Sequence, residues 1–380
     1  MKKIVIVSSY SESLIIFRKD LMQSLIDNGY EVYALGPDKD EKIFSKLREI
    51  GVTPLSYFLN RKGLNPFSDI KSIWQIRKIL KRINPDFVLP YTAKPVIYSN
   101  LAKKGLSIYS INWITGLGFY AMPSRDLIRK MAKKFITLLY RISLDQKDKL
   151  VFQNLDDLEL FRAKKIITKH PFVITPGSGV NLSQFDFSVP DRESLKFLFV
   201  GRLIKSKGIE LFLEAAAVVK AEYKHAQFIV VGWIDQESSD RISQETVDRY
   251  KENGIVEFTG KINNVDEYIK ESSVFVLPSM YREGVPRSIL EALSVGRAVI
   301  TTDNVGCRET VVKDYNGILI EKNNATQLAE AMRFFCKNPN KIIEYGKNSR
   351  SLAESKFDVK LVNEIIINAI NSYICDKKSS

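Results

Sequence analysis

The sequence PSMYREGVPRSILE, residues 278–291, holds two glutamates around a glycine, a proline and the start of an apolar helix. Glu283 should lie on a loop, because Pro286 suits the first helical position, where its missing N–H costs nothing. Glu291 then falls in the second turn, and Leu290 marks the buried stripe beside it. We expect Glu291 on the exposed helix face, where both acids reach one ligand and the helix N-terminus attracts an anion. The alternative is two acids that meet only water.

A second stretch, GRLIKSKG at 201–208, follows the apolar run LKFLFV at 195–200, which predicts a buried strand. A helical pattern begins directly after Gly208. Three cations occupy the turn between them: Arg202, Lys205 and Lys207. A basic turn bounded by glycines that leads from a strand into a helix is typical of a phosphate-binding site. The alternative is an ordinary basic loop.

Segments with strand and helix patterns alternate through both halves of the chain. The first series begins with the apolar runs 3–7 and 31–35, and the second begins with 195–200. This alternation predicts two doubly wound α/β domains, each with a parallel sheet between layers of helices. Ligands of such sheets bind beyond the carboxyl ends of the strands. The polar stretch 181–192 predicts the linker between the two series.

Together the two motifs resemble the carboxyl-terminal half of the retaining glycosyltransferases of the GT-B fold, sequence family 4. The resemblance rests on GRLIKSKG, on EGVPRSILEAL at 283–293 and on GRAVITTDNVGCRETVVKDYNGILI at 296–320. Shorter matches extend it into the first half: Phe17-Arg18, Lys94-Pro95, Gly116-Leu-Gly118, Phe152-Gln-Asn154 and Gly177-Ser-Gly-Val180. These recur in bacterial members that build surface polysaccharides, such as O-antigen or capsule, and glycan-linked lipids.

The resemblance implies two Rossmann-like doubly wound domains that face each other across a cleft. We expect an acceptor-binding domain over 1–185 and a nucleotide-sugar-binding domain over 186–358. We also expect a helix over 359–380 that packs back on the first domain. The implied activity is transfer of a sugar from a nucleotide sugar with retention of its anomeric configuration.

The resemblance also implies the donor-side residues: Gly201, Arg202, Lys207, Glu283, Gly284, Val285 and Glu291. Arg202 and Lys207 neutralise the departing diphosphate, and Glu283 accepts from a sugar hydroxyl, so these three are the catalytic candidates. Glu291 accepts both ribose hydroxyls. In the family's proposed route the leaving phosphate takes the acceptor proton, so no strong base is needed. No Asp-x-Asp-like pair stands near these motifs, so we expect transfer without a metal or other cofactor.

Four residues of the first half are candidates for the acceptor side: Ser9, Arg18, Lys94 and Gly118. For Arg18 the alternative is a helix-surface residue, and for Gly118 it is a tight turn. The chain departs from the family pattern here, because its cleft loops lack histidine and the first loop is Ser8-Ser-Tyr-Ser rather than paired glycines. The loop 116–121 also matches a loose dinucleotide pattern. We reject that interpretation because Pro123 follows and no helix is expected at the glycines.

Composition places the chain among soluble globular proteins, since 45% of its residues are hydrophobic and 27% are charged. The three cysteines, Cys307, Cys336 and Cys375, argue against a disulfide framework because their number is odd and they lie far apart. The apolar run after Met1 is too short for a signal peptide, and no apolar stretch approaches the ~18 residues of a membrane span. We expect a cytoplasmic protein.

The net charge of +13 is concentrated in the first half. Residues 51–150 hold 18 basic and 5 acidic side chains, whereas residues 191–380 hold equal numbers. A domain with this excess predicts an anionic partner such as membrane lipid or a lipid pyrophosphate. Nucleic acid is not expected, because no basic motif is interleaved with aromatic residues. The alternative is a lysine-rich surface that reflects composition alone.

The segment 125–142 is the clearest candidate for membrane contact. One helical face carries apolar side chains: Leu127, Met131, Phe135, Leu138 and Ile142. Basic side chains occupy the rest: Arg125, Arg129, Lys133, Lys134 and Arg141. A basic amphipathic helix of this kind lies on an anionic bilayer surface. The alternative is an apolar stripe in the core with a solvated basic face.

These expectations define one function and two alternatives. The function is transfer of a hexose or N-acetylhexosamine from a UDP-sugar to an undecaprenyl-pyrophosphate-type lipid-linked saccharide. The enzyme would lie on the inner face of the plasma membrane, held to the anionic surface by its basic first domain. One alternative is transfer of mannose from GDP-mannose. The other is a non-catalytic module that binds sugar nucleotides, which the presence of Glu283, Arg202 and Lys207 disfavours.

Overall fold

The computed structural model describes residues 1–60, 65–121, 126–191 and 194–378. The chain divides into two compact units, one formed by Met1–Ser178 with Val359–Ser380 and the other by Gly179–Asp358. Three residues used in the predictions lie outside the described residues: Pro123, Arg125 and Arg192.

The division falls earlier than the predicted boundary after residue 185. Contacts of the intervening residues explain the difference. The Val180 N–H donates to the Phe357 carbonyl at 2.8 Å, and the Phe185 side chain is buried in the core of the second unit. These residues therefore belong to the second unit, although the polar stretch 181–192 predicted a linker.

The first unit is built on a parallel sheet. Within the described residues its strands are β1 (Lys2–Val7), β2 (Tyr30–Gly36), β3 (Thr53–Ser56), β4 (Phe87–Pro90), β5 (Tyr109–Ile114), β6 (Lys149–Phe152) and β7 (Phe172–Ile174). Their order is β3-β2-β1-β4-β5-β6-β7, and all pairs are parallel. The strand order reverses between β1 and β4, so this pair is the topological switch point of the sheet.

Helices cover both faces of this sheet. They are α1 (Glu12–Asp27), α2 (Glu41–Glu49), α3 (Pro66–Ile83), α4 (Ala93–Lys103), α5 (Gly118–Ala121), α6 (Leu127–Ser143) and α7 (Leu155–Ala163). Side chains of α1 and α2 enter one apolar core, and those of α3, α4, α6 and α7 enter another. The short α5 begins at Gly118, so the expectation that no helix starts at those glycines is wrong.

The start and end of α3 follow from its sequence. The Asn65 side chain accepts from the Phe67 N–H at 3.1 Å, and Pro66 occupies the first turn, where a missing N–H has no cost. The helix ends at Asn84, which adopts a left-handed conformation with φ 49°.

The apolar stripe of α6 lies on the surface. Its five side chains have exposed fractions from 46% to 70%. The helix instead buries Tyr140 and Ser143, which lie off that stripe. The alternative that the stripe belongs to the core is therefore wrong.

The second unit repeats the architecture. Its described strands are β8 (Lys196–Val200), β9 (Gln227–Val231), β10 (Glu257–Gly260), β11 (Val274–Leu277), β12 (Ala298–Thr302) and β13 (Gly317–Ile320). Its helices are α8 (Ile209–Glu222), α9 (Gln244–Glu252), α10 (Val265–Glu271), α11 (Arg287–Val295), α12 (Ala325–Lys337) and α13 (Pro339–Leu352). The strand order is β10-β9-β8-β11-β12-β13, and all pairs are parallel. The predicted α/β class with two doubly wound parallel sheets is confirmed.

The last helix, α14 (Val359–Lys378), belongs to the first unit. Val362, Ile366 and Ile370 join the core formed by α1 and α2, and the Tyr30 hydroxyl donates to Asn371 Oδ1 at 2.8 Å. None of the helices in the described part of the chain combines the length and apolarity that crossing a bilayer requires.

Candidate active site

The two motifs meet at the switch point of the second sheet. Its strand order reverses between β8 and β11, which pair directly. The turn 201–208 follows β8 and the loop 278–286 follows β11, so the motifs start at adjacent strand ends. Doubly wound sheets bind ligands at such a point.

Lys207 and Glu283 join the two motifs. Lys207 Nζ lies 2.5 Å from Glu283 Oε1, and the exposed fractions of the two side chains are only 17% and 13%. The Ser279 hydroxyl donates to the same carboxylate oxygen at 3.2 Å. Because the pair is largely shielded from water, its charges act on a neighbouring ligand more strongly than exposed charges would.

Main-chain contacts hold the motifs in register. The Ser206 carbonyl accepts from the N–H groups of Met280 and Tyr281, both at 2.8 Å. Gly208 has φ +78°, and a Cβ there would lie 2.0 Å from the Pro278 carbonyl oxygen. Only glycine permits this approach. The glycine that follows Lys207 therefore sets how closely the two motifs lie.

Glu291 is mostly buried, which contradicts the predicted exposed face. Arg287 Nε lies 2.9 Å from Glu291 Oε1, and the exposed fractions of the side chains are 17% and 14%. Burial raises the pKa of Glu291 above the ordinary glutamate value, and Arg287 opposes this shift. The contact of Arg287 with Glu291 was not predicted from the sequence. The two residues stand four positions apart, a spacing that places side chains on the same helix face.

The start of α11 also differs from the prediction. The first helical residue is Arg287, and Pro286 precedes it with an extended ψ of 119°. Gly284 and Val285 lie on the loop just before the helix, and the Val285 side chain is buried. Their position beside Glu283 agrees with the place that the resemblance implies for donor contacts, while their role stays a prediction.

Arg202 lies on the other side of the basic turn. Its Nη1 donates to Asp235 Oδ2 at 2.8 Å, and it is more exposed than Lys207. Beside it, the Gly201 carbonyl packs against the next strand end so closely that a Cβ on Gly232 would lie 1.8 Å from its oxygen. Asp235 was not predicted, because no motif connects the loop after β9 with Arg202.

The loop after β12 supports the glutamate loop. The Asn304 amide donates to the Tyr281 carbonyl at 2.8 Å and to the Ser279 carbonyl at 3.2 Å. Gly306 has φ +83°, and a Cβ there would lie 1.9 Å from the Gly284 carbonyl oxygen. The sequence signal for these positions was the turn-forming asparagine and glycine within the segment 296–320.

Two further observations bear on the chemistry of the site. Burial raises the pKa of the Cys307 thiol to about 12, and the Glu283 charge adds to that shift, so the thiol is not a nucleophile near neutral pH. Across the described ranges, no group of three or more His, Cys, Asp or Glu side chains is placed to hold a metal ion. Transfer without a metal stays a prediction.

The switch point of the first sheet brings Ser9 and Lys94 together. They line a cavity of about 250 Å³ with Leu59 and Thr92. The Thr92 hydroxyl donates to Ser9 Oγ at 3.0 Å, and Thr92 has φ 69°, a conformation that a β-branched residue rarely adopts. Lys94 Nζ contacts Asp69 Oδ1 at 3.2 Å and the Asn60 carbonyl at 2.7 Å. Thr92 was not singled out from the sequence.

Arg18 is buried, so the alternative of a helix-surface residue is wrong. Its exposed fraction is 2%, and its guanidinium carbon lies 3.8 Å from the ring centroid of Trp113 and 4.7 Å from that of Tyr91. The Arg18 position thus depends on stacking against two rings of the sheet. Gly118, the remaining acceptor-side candidate, has φ 42° at the start of α5. Acceptor contact by either residue stays a prediction.

Comparisons with known proteins match both halves of the chain. Residues 183–352 match the family model of glycosyl transferases group 1, and residues 3–154 match the glycosyl transferase 4-like model. The chain is 26% identical over 362 residues to the N,N'-diacetylbacillosaminyl-diphospho-undecaprenol alpha-1,3-N-acetylgalactosaminyltransferase of Campylobacter jejuni, an alignment that covers 91% of this chain and 93% of the relative. It is 25% identical over 285 residues to the UDP-Gal:alpha-D-GlcNAc-diphosphoundecaprenol alpha-1,3-galactosyltransferase of Escherichia coli, which covers 71% of each.

The fold is also similar to that of a solved structure. HepE of Anabaena, solved in complex with UDP, aligns with a TM-score of 0.78 over 98% of this chain and 100% of that chain. The sequence identity of 15% limits that likeness to the fold. The two family models together span most of the sequence, in the same order as the two structural units. The chain therefore belongs to the glycosyltransferases, with a glycosyl transferase 4-like amino-terminal half and a group 1 carboxyl-terminal half.

Proposed function

We propose that this glycosyltransferase moves a hexose or N-acetylhexosamine from a UDP-sugar, with retention, to a lipid-pyrophosphate-linked saccharide in bacterial glycan assembly. The contact between Lys207 and Glu283 at the switch point carries the proposal. It places a cation suited to a diphosphate beside a carboxylate suited to a sugar hydroxyl, in a largely buried position. No metal takes part in the proposed reaction.

The donor would lie along the switch point. Lys207 and Arg202 would contact the diphosphate, where negative charge grows as the glycosidic bond breaks. Glu291, on the helix that follows the glutamate loop, would accept from the ribose hydroxyls, because a carboxylate has two acceptor oxygens for a vicinal pair. Arg287 holds that carboxylate in place at 2.9 Å, and we assign it a positioning role.

The reaction balances without an enzymatic base. The bond between sugar C1 and the β-phosphate oxygen breaks while the acceptor hydroxyl oxygen bonds to C1 from the same face. The acceptor proton passes to the departing phosphate oxygen. Glu283 would hold a sugar hydroxyl throughout, and the cations would stabilise the diphosphate in the transition state, where one well-placed donor supplies roughly 3 kcal/mol.

The acceptor side of the proposal rests on the relatives and on the first unit. The names of the Campylobacter and Escherichia relatives both specify acceptors linked to diphospho-undecaprenol. The cavity of Ser9, Thr92 and Lys94 lies at the switch point of the first sheet, the place where such sheets bind ligands. The strained backbone of Thr92 supports a functional role for this loop.

The exposed α6 stripe supports a peripheral position on the inner face of the plasma membrane. Large apolar side chains and basic side chains share the helix surface, and Phe135 and Lys134 are both exposed. An amphipathic helix of this composition binds an anionic bilayer through apolar burial and charge attraction together. The proposed acceptor is a membrane lipid, so this surface would keep the enzyme near its substrate.

Nucleotide binding by calorimetry and thermal shift tests the proposal, with UDP, GDP, ADP and UDP-sugars, each without and with magnesium. Ligands that bind the native state raise its apparent stability. We expect UDP to raise it without magnesium. A response to GDP alone would favour transfer from GDP-mannose. No response to any nucleotide or UDP-sugar would overturn both the proposed transfer and the alternative of a non-catalytic module that binds sugar nucleotides.

A further inference from the structure

The α3 helix carries a second exposed apolar stripe, apart from the sites described above. Phe67, Ile70 and Trp74 follow helical spacing, and their exposed fractions are 87%, 63% and 60%. The helix packs on its sheet through the opposite face, which holds Ser72, Ile76, Leu80 and Ile83. Three large apolar side chains exposed on one stripe mark a surface that binds something apolar.

Three lysines surround an open groove beside this stripe. The groove has a volume of about 540 Å³ and lies between α3 and the loops that follow β2 and β3. Lys39, Lys71 and Lys78 line it, and all three are exposed. Among the residues that the structure describes, no carboxylate oxygen lies within 4.0 Å of these ammonium groups. The groove therefore concentrates positive charge without an internal counter-ion.

Aromatic rings position two of the lysines. Lys71 Nζ lies 4.6 Å from the Phe58 ring centroid, and Lys78 Nζ lies 5.5 Å from the Trp74 ring centroid. A ring face attracts an ammonium group but leaves its charge available to an anion. The two lysines stand two turns apart on α3, about 10 Å along the axis, with Trp74 between them. An anion of more than one phosphate group fits this arrangement.

We propose that the groove binds the diphosphate of a polyisoprenyl-type lipid, with the lysines on the diphosphate and the stripe of Phe67, Ile70 and Trp74 against the hydrocarbon chain. The combination of isolated cations and exposed apolar side chains matches an amphiphile that carries its charge at one end. That this lipid is the acceptor rests on the proposed function.

The neighbouring cavity supports the assignment. Phe58 lines the groove and the next residue, Leu59, lines the cavity of Ser9 and Lys94. Both recesses therefore lie side by side along the carboxyl edge of the same sheet. A saccharide attached to a diphosphate in the groove would extend toward Ser9 and Lys94, which makes the two recesses parts of one acceptor site.

Titration of the full chain with farnesyl diphosphate, without nucleotide sugar, tests the proposal. We expect binding that is tighter than that of inorganic diphosphate or of farnesol, since only the amphiphile meets both parts of the surface. The double variant K71E/K78E should lower the affinity at least tenfold, because two attractive charges become repulsive. The matched control K42E/K46E makes the same charge change on the exposed face of α2 and should leave the affinity within about twofold.

Three outcomes would overturn the proposal. The first is equal affinity for farnesyl diphosphate in the wild type, in K71E/K78E and in W74A, a variant that removes the largest ring of the apolar stripe. The second is a parallel loss of UDP affinity in K71E/K78E, which would place the nucleotide in the groove. The third is a K71E/K78E variant that no longer binds phosphatidylglycerol vesicles but still binds farnesyl diphosphate, which would assign the groove to bulk anionic lipid. The titration contains no sugar donor, so it does not depend on transfer. If the chain binds farnesyl diphosphate in this groove but transfers no sugar in a separate assay, the proposed function fails and the assignment of the groove stands.

Discussion

The Lys207 ammonium group lies 2.5 Å from the Glu283 carboxylate, so the residue assigned to the diphosphate and the residue assigned to the sugar hold each other in place. Each belongs to a different loop, and the loops meet only because β8 and β11 are neighbours in the sheet. Removing either partner therefore also displaces the other. We expect their effects on turnover to be non-additive in a double-mutant cycle.

Lys207→Ala should lower kcat about a hundredfold, because one cation on the departing diphosphate contributes roughly 3 kcal/mol to transition-state stabilisation. Steady-state kinetics with a UDP-sugar donor measures this, and circular dichroism checks the fold. Lys205→Ala is the matched control, since Lys205 lies in the same turn but pairs with Glu210 at 3.1 Å. Equal turnover of the wild type and Lys207→Ala would remove the diphosphate role.

Gly306→Ala should reduce turnover at least tenfold, because the added Cβ would meet the Gly284 carbonyl at 1.9 Å and push the glutamate loop away. Gly254→Ala separates this effect from backbone strain. Gly254 also has a positive φ, +63°, but nothing lies within 4 Å of its Cβ position. Both variants should lose about 1 kcal/mol of stability from the left-handed conformation. If Gly254→Ala loses as much turnover, the contact with Gly284 has no special role.

Glu291 should make UDP affinity depend on pH. Burial raises its pKa above the ordinary value of 4.5, so the carboxylate is ionised only above that raised pKa. We expect the affinity to decline as pH falls through the raised pKa, which lies above 4.5. Calorimetry from pH 8 to 5 measures this. Glu291→Gln should bind weakly at every pH, and a variant that keeps the wild-type profile would exclude the ribose role.

Arg297 should be a main determinant of the stability of the second unit. Its buried guanidinium donates to the carbonyls of Ile269 at 2.9 Å, Ser188 at 2.7 Å and Lys270 at 2.7 Å, and burial lowers its pKa to about 10. Arg297→Met would leave these buried acceptors unsatisfied and should lower the free energy of unfolding by about 3 kcal/mol or more. Urea unfolding measures the loss. Arg333→Met, which breaks an exposed pair with Glu222, should cost less than about 1 kcal/mol.

The α6 surface should bind anionic membranes. Lys133→Glu with Lys134→Glu should lower sedimentation with vesicles that contain phosphatidylglycerol, as should Met131→Ser with Phe135→Ser, because charge and apolar burial both contribute. Neither pair should change binding of UDP. The variant K42E/K46E again controls for net charge. Unchanged sedimentation of both α6 variants would show that the exposed stripe has another role.

Local patterns in the sequence predicted much of the fold. Apolar runs such as 195–200 marked buried strands, because strands between two helix layers are apolar on both faces. The polar stretch 181–192 predicted a linker, but Phe185 within it packs in the core of the second unit. Polar composition alone does not reveal that contact.

The candidate site was predicted in part. The two motifs singled out Lys207, Glu283 and Glu291, and the structure places these motifs at the ends of the adjacent strands β8 and β11. Burial of Glu291 was missed, because the neighbours that cover a helix face come from other elements. Asp235 and Asn304 were missed because each acts across the sheet on a loop far away in sequence.

The sequence by itself determined the alternation of strands and helices, the two motifs and the basic excess of the first half, because periodicity, turn chemistry and charge are properties of neighbouring residues. Only the tertiary structure decided which loops meet, since strand order brings Lys207 to Glu283 and Ser9 to Thr92. It also decided which apolar stripes stay uncovered. Helical periodicity shows that a stripe exists, but whether it is buried depends on whether another element packs against it. On α3 and α6 none of the described elements covers the stripe.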